Sequence, residues 1–525
     1  MEGMKRCRSP HPASPIALRR ERWRRRLPLR RTPRRTLRCM PSGEATSLAG
    51  KRVVVMGLGR FGGGVGVTRW LCEQGADVLL TDLDDEARLA ASLESIRDLV
   101  RSGAVTLRLG GHNVGDFTTH DLVVANPAVP KPWDNRFLRA ATAAGVPITT
   151  EIGLLVERLP AGARTIGVTG SAGKSTTSAM LAHALRAAIA RGLAPNPPRN
   201  VHFGGNIGGS LLGALGTISE HDAIVLELSS AMLHWLGDGA REHARNEHFR
   251  GGWSPRIALM TNLAPNHLDW HGAFEHYARS KGAIFAHQRD GDIAIAGSPE
   301  AAALFADTGA QRIELPPDED DPAWMRDLRL RIPGAHNRRN ALMALTGAAC
   351  ALGCEPHALV RTLDDFEGLP HRLRLVAERR VGAGVVRCYD DSKSTTPEST
   401  LLALRAFEEE PGVGADRVHL IAGGYDKGVD LAPVARCAER IAGLYAIGAT
   451  GPALVAAAGE RARREGRAHD CATLERAVAI AIGRAQPGDV VLLSPACASW
   501  DQFTNFEERG DAFARLVRET PPGGA

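Results

Sequence analysis

The segment 166–177, which reads IGVTGSAGKSTT, combines glycines, a lysine and hydroxyl residues in the order of a phosphate-binding loop. Its apolar beginning predicts a buried strand, and the residues from Lys174 onward predict a helix. Backbone N–H groups at such a helix start bind nucleotide phosphates, and the lysine neutralises the β- and γ-phosphate oxygens. A hydroxyl of Ser175 or Thr176 can bind Mg²⁺. Val168 replaces the first glycine of the usual motif, but the remaining spacing still predicts ATP binding.

A carboxylate and an imidazole follow two further apolar runs. Glu227 ends the apolar part of AIVLELSS, and His267 lies just beyond IALMTN. Such continuous runs are typical of central parallel strands, whose carboxyl ends hold ligands in open α/β sheets. Together with Ser175, these side chains could bind one or two Mg²⁺ ions beside a triphosphate. Asp269 and His271 are alternative ligands that the spacing leaves open.

Three other polar side chains lie on predicted helices, and each has two interpretations. Lys281 belongs to the segment EHYARSKGAIFAHQ, where it is either a solvated lysine or part of the site. Asn337 and Asn340 are three residues apart in HNRRNAL, so both amides face one way. They either contact the edge of a base or serve as caps and surface residues.

The first of three α/β blocks opens with the strand-like run RVVVM and the glycines Gly57, Gly59 and Gly62. A helix is expected only after Val65, and Asp82 ends a second strand about twenty residues beyond the glycines. This Rossmann-type pattern is compatible with NAD and equally with another phosphate-bearing nucleotide.

The second block begins near Glu157 and ends near Phe366, and the third begins at Leu369. The third contains VRCYDDSKSTTP, VHLIAGGYDKG and VVLLSPACASWDQF, each of which reads as a strand that runs into a polar loop. We therefore predict an α/β fold with three domains. They are a Rossmann-like domain at 47–155, a central P-loop ATPase-like parallel sheet at 156–367 and a second Rossmann-like domain at 368–525.

A basic segment precedes these blocks. Residues 1–40 contain thirteen Arg and one Lys against two Glu, a net charge of +12, so the overall +6 leaves −6 for the remaining chain. The segment could bind nucleic acid or anionic lipid, or imitate a targeting peptide. We favour a disordered appendage at 1–46, or a start codon at Met40 that leaves residues 1–39 untranslated.

The composition indicates a soluble enzyme of a reducing cytoplasm. No run of about 18 apolar residues is present, so no membrane-spanning helix is expected. The nine cysteines are scattered and do not form a disulfide framework. Cys350 and Cys354 lie one helical turn apart, as a metal pair or, in our preferred interpretation, as two small buried residues.

Ten motifs occur in order between Ala49 and Val517, and together they resemble the Mur ligase family. They are GVTGSAGKSTT, GGNIGGSLL, VLELSS, TNLAPNHLDWHG, YARSK, PGAHNRRNAL, LPHRL, YDDSKSTTPEST, LIAGGYDKG and LLSPACASWDQFTNFEERG. The last five are especially similar to the members that add D-glutamate. The resemblance implies a cytoplasmic, monomeric ligase of peptidoglycan synthesis, and hence a role in cell wall biogenesis, cell shape, cell division and the cell cycle.

The resemblance also implies a reaction. ATP would phosphorylate the carboxylate of UDP-N-acetylmuramoyl-L-alanine, and the amine of D-glutamate would attack the acyl phosphate. The first domain would bind the UDP end, the central domain ATP, and the last domain would close over both. Two Mg²⁺ ions and a CO2-derived carbamate on Lys281 would assist.

The residues that would carry these roles follow from the matching motifs. Catalysis would involve Lys174, Glu227, His267, Lys281 and Lys393. The metal ligands would be Ser175, Glu227, His267 and the carbamate of Lys281. ATP would be bound by Gly170, Ser171, Ala172, Gly173, Lys174, Ser175, Thr176, Asn337, Asn340, Arg372 and Asp391. The UDP-linked substrate would contact Gly59, Arg60, Phe61, Asp82, Asn126 and Asn206. D-Glutamate would contact Thr395, Lys427, Ser499 and the backbone of Phe506.

Several positions depart from the family pattern. The glycine-rich turn reads GRFGGGVG, and Leu83 rather than a hydroxyl residue follows Asp82. Ala231 and Met232 follow VLELSS where an aromatic residue and a glutamine are common, and Trp500 replaces an aliphatic residue. These changes concern the contacts to UDP and the packing near the substrates, and they spare the expected metal ligands.

Three alternative functions remain open. A sister ligase would add another amino acid or act on folate, although DSKSTT, GGYDKG and SPACAS argue against it. An NAD-dependent oxidoreductase rests on the first glycine motif alone. A non-catalytic relative would not need the intact lysines, Glu227 and His267.

Overall fold

The computed structural model describes residues 47–60, 63–237, 252–317, 320–410 and 412–520. All of these ranges belong to one compact unit, residues 45–525. The basic segment at 1–46 and Phe61 lie outside the described residues. No helix in the described ranges is long and apolar enough to cross a membrane.

The first sheet is parallel throughout, and the predicted run RVVVM forms one of its strands. Its strands are β1 (Arg52–Met56), β2 (Asp77–Thr81), β3 (Val105–Arg108), β4 (Leu122–Ala125) and β5 (Ile148–Thr149). Their order is β3-β2-β1-β4-β5. The helices around it are α1 (Val65–Glu73), α2 (Glu86–Glu94), α3 (Arg97–Arg101), α4 (Val114–Thr119), α5 (Arg136–Ala143) and α6 (Glu151–Arg158).

The second sheet is also parallel. Its strands are β6 (Arg164–Thr169), β7 (Val201–Gly205), β8 (Ala223–Glu227), β9 (Ile257–Met260), β10 (Ile293–Ala296) and β11 (Gln311–Glu314), in the order β11-β10-β9-β6-β8-β7. The helices of this part are α7 (Lys174–Ala190), α8 (Ser230–Leu236), α9 (Leu268–His271), α10 (Phe274–Ala286), α11 (Pro299–Ala302) and α12 (Ala335–Leu352).

The third sheet has one antiparallel strand at its edge. Its strands are β12 (Arg374–Val381), β13 (Gly384–Asp390), β14 (Val418–Gly423), β15 (Gly443–Ile447), β16 (Ala468–Ala472) and β17 (Val490–Leu493). Their order is β12-β13-β17-β14-β15-β16, and β12 alone runs antiparallel to its neighbour. The helices are α13 (Pro397–Glu408), α14 (Ala432–Arg436), α15 (Gly451–Ala457), α16 (Glu460–Arg464), α17 (Leu474–Arg484) and α18 (Phe506–Glu519).

Short 3₁₀ helices complete the connections. They lie at Pro132–Asp134, Leu212–Thr217, Ala323–Asp327, Pro356–Leu363, Ala415–Arg417 and Cys437–Glu439.

Small residues allow the helices of the second block to approach their sheet closely. A Cβ on Gly347 of α12 would lie 2.7 Å from Leu259 in β9. Cys350, near the end of the same helix, and Cys354, just after it, are half-buried free thiols that pack against this core. Burial raises the pKa of Cys350 to about 11. The sequence favoured two buried residues, whereas both side chains are only partly buried.

Candidate active site

The phosphate loop follows β6 at the carboxyl edge of the second sheet, and β8 and β9 flank that strand. Gly170 and Gly173 have φ values of 147° and 79°, which side chains rarely permit. A Cβ on Gly170 would lie 1.9 Å from Thr261 Oγ1, and one on Gly173 would lie 2.4 Å from Asn340 Oδ1. Both glycines are therefore required, and the helix begins at Lys174 as predicted.

Side chains that follow β9 hold this loop in place. Asn262 Oδ1 accepts from the N–H of Ala172 at 2.9 Å, and Asn262 Nδ2 donates to the carbonyl of Ala172 at 3.2 Å. Ser171 Oγ accepts from the N–H of Ala264 at 2.8 Å and lies 2.8 Å from the hydroxyl oxygen of Tyr277. These bonds fix the path of the loop, so the N–H groups that remain free of them are pre-organised for an anion.

Lys174 lies at the centre of the site. Its Nζ donates to the carbonyl oxygens of Gly170 at 3.0 Å and Ser171 at 3.3 Å. Burial lowers the pKa of Lys174; Glu227 opposes this shift, and Arg372 adds to it. Lys174 also lines two cavities, one on each side of the loop.

The first cavity, of about 320 Å³, lies between the phosphate loop, the start of α12 and the loop after β13. Every predicted ATP-binding residue except Gly170 lines it, and so does Lys393. Asn337 and Asn340 are both buried there, and Asn337 Nδ2 donates to the carbonyl of Pro333 at 2.7 Å. The structure thus brings together residues that are more than two hundred positions apart in the sequence.

Asp391 lines the same cavity and also anchors the connection to the third sheet. Its Oδ1 accepts from the N–H of Leu373 at 3.2 Å, and its Oδ2 accepts from Ser494 Oγ at 2.8 Å. Leu373 and His371 have φ values of 44° and 60°, and His371 Nδ1 lies 2.7 Å from Asp390 Oδ2. Burial raises the pKa of Asp391 to about 7.

The second cavity, of about 730 Å³, lies between the first and second sheets. The loops after β1, β4, β7, β8 and β9 contribute to its walls. The predicted site residues that line it are Asn126, Lys174, Asn206, His267 and Lys281. Its size and polar lining suit a substrate larger than an amino acid.

Glu227 is the last residue of β8, and its side chain is completely buried. Its Oε1 accepts from Asn206 Nδ2 at 2.7 Å, whereas Oε2 has no hydrogen-bond partner among the described residues. A buried carboxylate oxygen without a partner is costly, and a cation would remove that cost. Because carboxylate and hydroxyl oxygens suit Mg²⁺, Glu227 and the hydroxyl of Ser175, in the first turn of α7, are donors of the type that this ion binds.

A metal here would need more than side chains. Within the described ranges, no group of three or more His, Cys, Asp or Glu side chains could hold a metal ion. Mg²⁺ commonly binds through one or two carboxylates together with substrate phosphates and water. The sparse protein donors beside the phosphate loop therefore suit an ion that arrives with a nucleotide.

Lys281 projects from α10 and is 1% exposed, which excludes the interpretation as a solvated lysine. Its Nζ donates to the carbonyl of Gly170 at 2.7 Å and to Thr169 Oγ1 at 3.3 Å. Burial lowers the pKa of Lys281 well below its usual value, Lys174 adds to this shift, and Glu227 opposes it. Burial thus favours the neutral form of this amine.

The structure distinguishes His267 from His271. His267 lies just before α9, has an exposed side chain and lines the second cavity. Partial desolvation, and then the charge of Lys174, lower its pKa. His271 is buried, with Nε2 at 2.9 Å from Ser230 Oγ and Nδ1 at 2.8 Å from His276 Nδ1. Both imidazoles line the second cavity, but the two ring nitrogens of His271 already have partners, so His267 is the histidine that remains available to a ligand.

In the glycine turn of the first sheet, the residues predicted to contact the substrate form hydrogen bonds within the protein. Asp82 Oδ2 accepts from the N–H groups of Leu58 at 2.8 Å and Gly59 at 3.1 Å, so this carboxylate stabilises the turn. Arg60 forms a two-bond pair with Asp84, at 2.7 and 2.8 Å. The cavity lining includes none of Gly59, Arg60 and Asp82. Their contact with UDP stays a prediction.

Three loops of the third sheet carry the predicted amino-acid residues, and backbone bonds join them. They follow the adjacent strands β13, β17 and β14. The N–H of Ala496 donates to the carbonyl of Ser394 at 2.9 Å, and the N–H of Tyr425 donates to the carbonyl of Ala498 at 2.9 Å. Thr395, Ser499 and Lys427 lie one or two residues from these bonds, at the same edge of the sheet.

Two supporting side chains were missed from the sequence. Tyr277 lies between Ser171 and Lys281, whose Nζ is 4.9 Å from the ring centroid. Arg509 of α18 is 1% exposed and donates to Ser392 Oγ at 3.0 Å and to the carbonyl of Cys497 at 3.1 Å. Their positions within YARSK and NFEERG were a signal that could have identified them.

Three family models match the chain in order. The Mur ligase MurD-like N-terminal domain matches residues 51–150, the Mur ligase middle domain 168–315, and the Mur ligase glutamate ligase domain 371–497. The glycine motif of the first sheet was the only feature that favoured an NAD-dependent oxidoreductase. Because that sheet matches a Mur ligase domain, the oxidoreductase has no remaining support.

Curated relatives match over nearly the whole chain. UDP-N-acetylmuramoylalanine--D-glutamate ligase from Roseiflexus sp. (strain RS-1) is 37% identical, over 90% of this chain and 99% of the relative. The enzyme of the same name from Anaeromyxobacter dehalogenans (strain 2CP-C) is 38% identical, over the same shares. A solved structure of MurF from Acinetobacter baumannii is 18% identical over 73% of this chain and 80% of that chain, with a TM-score of 0.48. On the identity and coverage of the curated relatives, this chain belongs to the Mur ligase family.

Proposed function

We propose that this chain is an ATP-dependent ligase that joins D-glutamate to UDP-N-acetylmuramoyl-L-alanine in the synthesis of peptidoglycan precursors. The observation that carries the proposal is the position of Lys174 between two cavities. One cavity is lined by the nucleotide motifs, and the other has room for a sugar nucleotide. The relatives of that function, at 37% and 38% identity, support the choice of substrates.

In the first step, the carboxylate of UDP-N-acetylmuramoyl-L-alanine attacks the γ-phosphorus of ATP. The bond to the bridging oxygen breaks, and ADP and an acyl phosphate form. Lys174, Arg372 and Lys393 offset the negative charge of the transferring group, since catalysis of phosphoryl transfer is mostly positioning and electrostatics. The loop N–H groups orient the phosphates for this attack.

Glu227, His267, Ser175 and a carbamate on Lys281 would hold two Mg²⁺ ions. Bound Mg²⁺ would add positive charge beside the phosphate oxygens. The unpartnered Oε2 of Glu227 and the accessible imidazole of His267 support these assignments. The lowered pKa of Lys281 supports the carbamate, because only a neutral amine reacts with CO2.

In the second step, the amine of D-glutamate attacks the acyl carbon. The tetrahedral adduct expels phosphate, the amine loses a proton, and the amide remains. Thr395, Lys427, Ser499 and the N–H of Phe506 would hold the two carboxylates of D-glutamate, which need a cation and several donors.

The remaining assignments concern binding. In the nucleotide cavity, Asn337 and Asn340 would contact adenine and Asp391 the ribose. In the second cavity, Asn126 and Asn206 would contact the UDP-linked substrate, and Gly59, Arg60 and Asp82 would lie nearer its UDP end. The proposed substrates are water-soluble metabolites of the cytoplasm, so we place the enzyme there. We further propose that it is a monomer, with domain boundaries near residues 46, 155 and 367.

The decisive experiment measures phosphate release with ATP, Mg²⁺ and UDP-N-acetylmuramoyl-L-alanine. The panel of amino acids would contain D-glutamate, L-glutamate, L-lysine and diaminopimelate. Turnover with D-glutamate alone supports the proposal. Turnover with another amino acid would keep the ligase activity and assign a different sister function.

Replacing Lys427 by alanine should raise the KM for D-glutamate far more than the KM for ATP. The ammonium of Lys427 is exposed at the edge of the third sheet, outside the nucleotide cavity. A charge-assisted hydrogen bond to a carboxylate contributes about 1.5–3 kcal/mol, so its loss should raise the KM for D-glutamate by about ten- to a hundredfold. Initial rates at varied concentrations of each substrate would measure the effect.

The matched control for this variant is Lys51→Ala, which removes an exposed lysine beside β1. This control should leave both KM values unchanged. Equal increases of the two KM values in Lys427→Ala would remove Lys427 from the amino-acid site.

The affinity for ATP should increase as the pH rises through about 7, because Asp391 then loses its proton. A carboxylate accepts the hydrogen bond of a ribose hydroxyl better than a carboxylic acid does. One such bond is worth about 0.5–1.5 kcal/mol, so the dissociation constant should fall by about two- to tenfold. Calorimetric titration with a non-hydrolysable ATP analogue on both sides of this pH would measure it.

Asp391→Asn provides the comparison, because the phosphates of the nucleotide titrate identically with both proteins. The asparagine variant should lack the part of the pH dependence that belongs to Asp391. If the two proteins show the same pH dependence, the ribose assignment of Asp391 is wrong.

A further inference from the structure

Two large aromatic side chains are exposed on the loops of the third sheet that carry the predicted D-glutamate residues. Tyr425, after β14, is 42% exposed, and Trp500, after β17, is 61% exposed. Their ring centroids lie 5.5 Å apart with the planes tilted by 58°. We refer to this pair as the aromatic platform.

The platform has a defined place because its two loops are joined through the backbone. Tyr425 and Ala498 form an isolated antiparallel bridge. A Cβ on Gly424 would lie 2.3 Å from the carbonyl oxygen of Ala498, so the two loops touch with no space for a side chain. The adjacent Ser499 is 2% exposed, which leaves Trp500 as the first side chain that projects outward.

Lys427 lies against this platform. Its Nζ is 5.4 Å from the centroid of the Trp500 ring, within the range of a cation–π contact. Within the described residues, Lys427 forms no hydrogen bond or ion pair. A lysine has a flexible four-carbon stem, so without a contact its ammonium would sample many positions. The ring of Trp500 is thus the contact that restricts it.

We propose that Trp500 is a positioning residue that holds the Lys427 ammonium for a carboxylate of the incoming amino acid. This inference rests on the proposed function, in which Lys427 binds D-glutamate. The ring attracts the ammonium through its face but offers no hydrogen bond, so the donors of Lys427 stay directed at the ligand. The lysine side chain is then already ordered before the amino acid binds, so binding loses less conformational entropy.

The test compares Trp500→Leu, Trp500→Phe and wild type by steady-state kinetics with each substrate varied. Trp500→Leu should raise the KM for D-glutamate by about two- to fivefold, which corresponds to the strength of an exposed cation–π contact. The KM for ATP should not change. Trp500→Phe retains an aromatic face and should restore most of the loss. Val429→Ala, which shortens another exposed apolar side chain of the loop after β14, should have no effect.

A double-mutant cycle separates positioning from a direct contact between Trp500 and the substrate. In a Lys427→Met background, Trp500→Leu should cause no further increase in the KM for D-glutamate. The same increase in both backgrounds, or no increase in either, would overturn the positioning role. Thermal unfolding of each variant checks that the fold is intact, which is expected for an exposed position.

The same data set distinguishes this inference from the function on which it rests. If the wild-type enzyme releases no phosphate with D-glutamate, the proposed function fails, and the inference falls with it. If the wild type turns over D-glutamate and Trp500→Leu matches it in every KM, only the inference fails.

Discussion

Replacement of Lys281 by alanine is expected to reduce the turnover number by about a hundred- to a thousandfold, the range seen when one charge-stabilising group is removed. The side chain is 1% exposed and lies against the phosphate loop, so its loss would remove the proposed carbamate and its charge from the site. Added short carboxylic acids should recover part of the turnover, because they can occupy the space of the carbamate. Phosphate release with and without such acids measures both effects.

Arg279→Ala is the matched control, since it removes an exposed basic side chain from the same helix. That variant should retain wild-type turnover and should not respond to carboxylic acids. Wild-type turnover in Lys281→Ala would show that the carbamate assignment is wrong. Loss of turnover without rescue, in a protein that still binds ATP, would limit Lys281 to supporting the loop.

Replacement of Glu227 by glutamine is expected to be nearly as severe, with about a hundredfold loss of turnover or more. The amide oxygen can still accept from Asn206, so the local structure is kept. The negative charge at the unpartnered oxygen is removed, and the proposed Mg²⁺ site would lose a type of ligand that this ion prefers. The concentration of Mg²⁺ that gives half-maximal turnover should rise, and a titration with Mg²⁺ at saturating substrates would show it.

Thermal unfolding in the presence of a chelator supplies the control for this variant. Glutamine removes a buried charge without adding volume, so the melting temperature should not fall. Glu220→Gln, an exposed change beside the same strand, should alter neither turnover nor the Mg²⁺ requirement. An unchanged Mg²⁺ requirement in Glu227→Gln would argue against a metal at this carboxylate.

The phosphate loop could be predicted because its information is local. The strand, the loop glycines and the helix start at Lys174 lie within a dozen residues, and the conformation of each glycine follows from the motif. The central parallel strands were equally accessible, since continuous apolar runs identify them. Helix α1 begins at Val65 for the same reason, because five glycines precede it within eight residues.

The burial of Lys281 could not be predicted from its own helix. Its environment depends on Gly170, which lies 111 residues earlier in the chain. The amphipathic pattern of α10 places this lysine on the same face as Tyr277 and Ile284, and only the packed structure shows that this face meets the phosphate loop. The sequence of the helix alone does not distinguish a fully buried lysine at this position from a lysine that is only partly buried.

In the first sheet, residues that are close together in the sequence still leave the partner of a side chain undefined. Arg60 was predicted to meet the substrate, and Asp84, only two residues from Asp82, holds its guanidinium. That pairing lowers the pKa of Asp84 to about 2. Which of three nearby aspartates an arginine selects is decided by the path of the turn, which the glycine spacing alone does not define.

Lys174 lines both the nucleotide cavity and the second cavity, and this has a consequence for inhibitor design. The residue forms part of the wall of each cavity, so the two cavities adjoin at Lys174. A bivalent compound with an adenosine-like group, a short anionic linker beside Lys174 and a sugar-nucleotide-like group could occupy both at once. Its second half would bind at the high effective concentration that a tether provides, so two weak fragments could combine into a tight ligand.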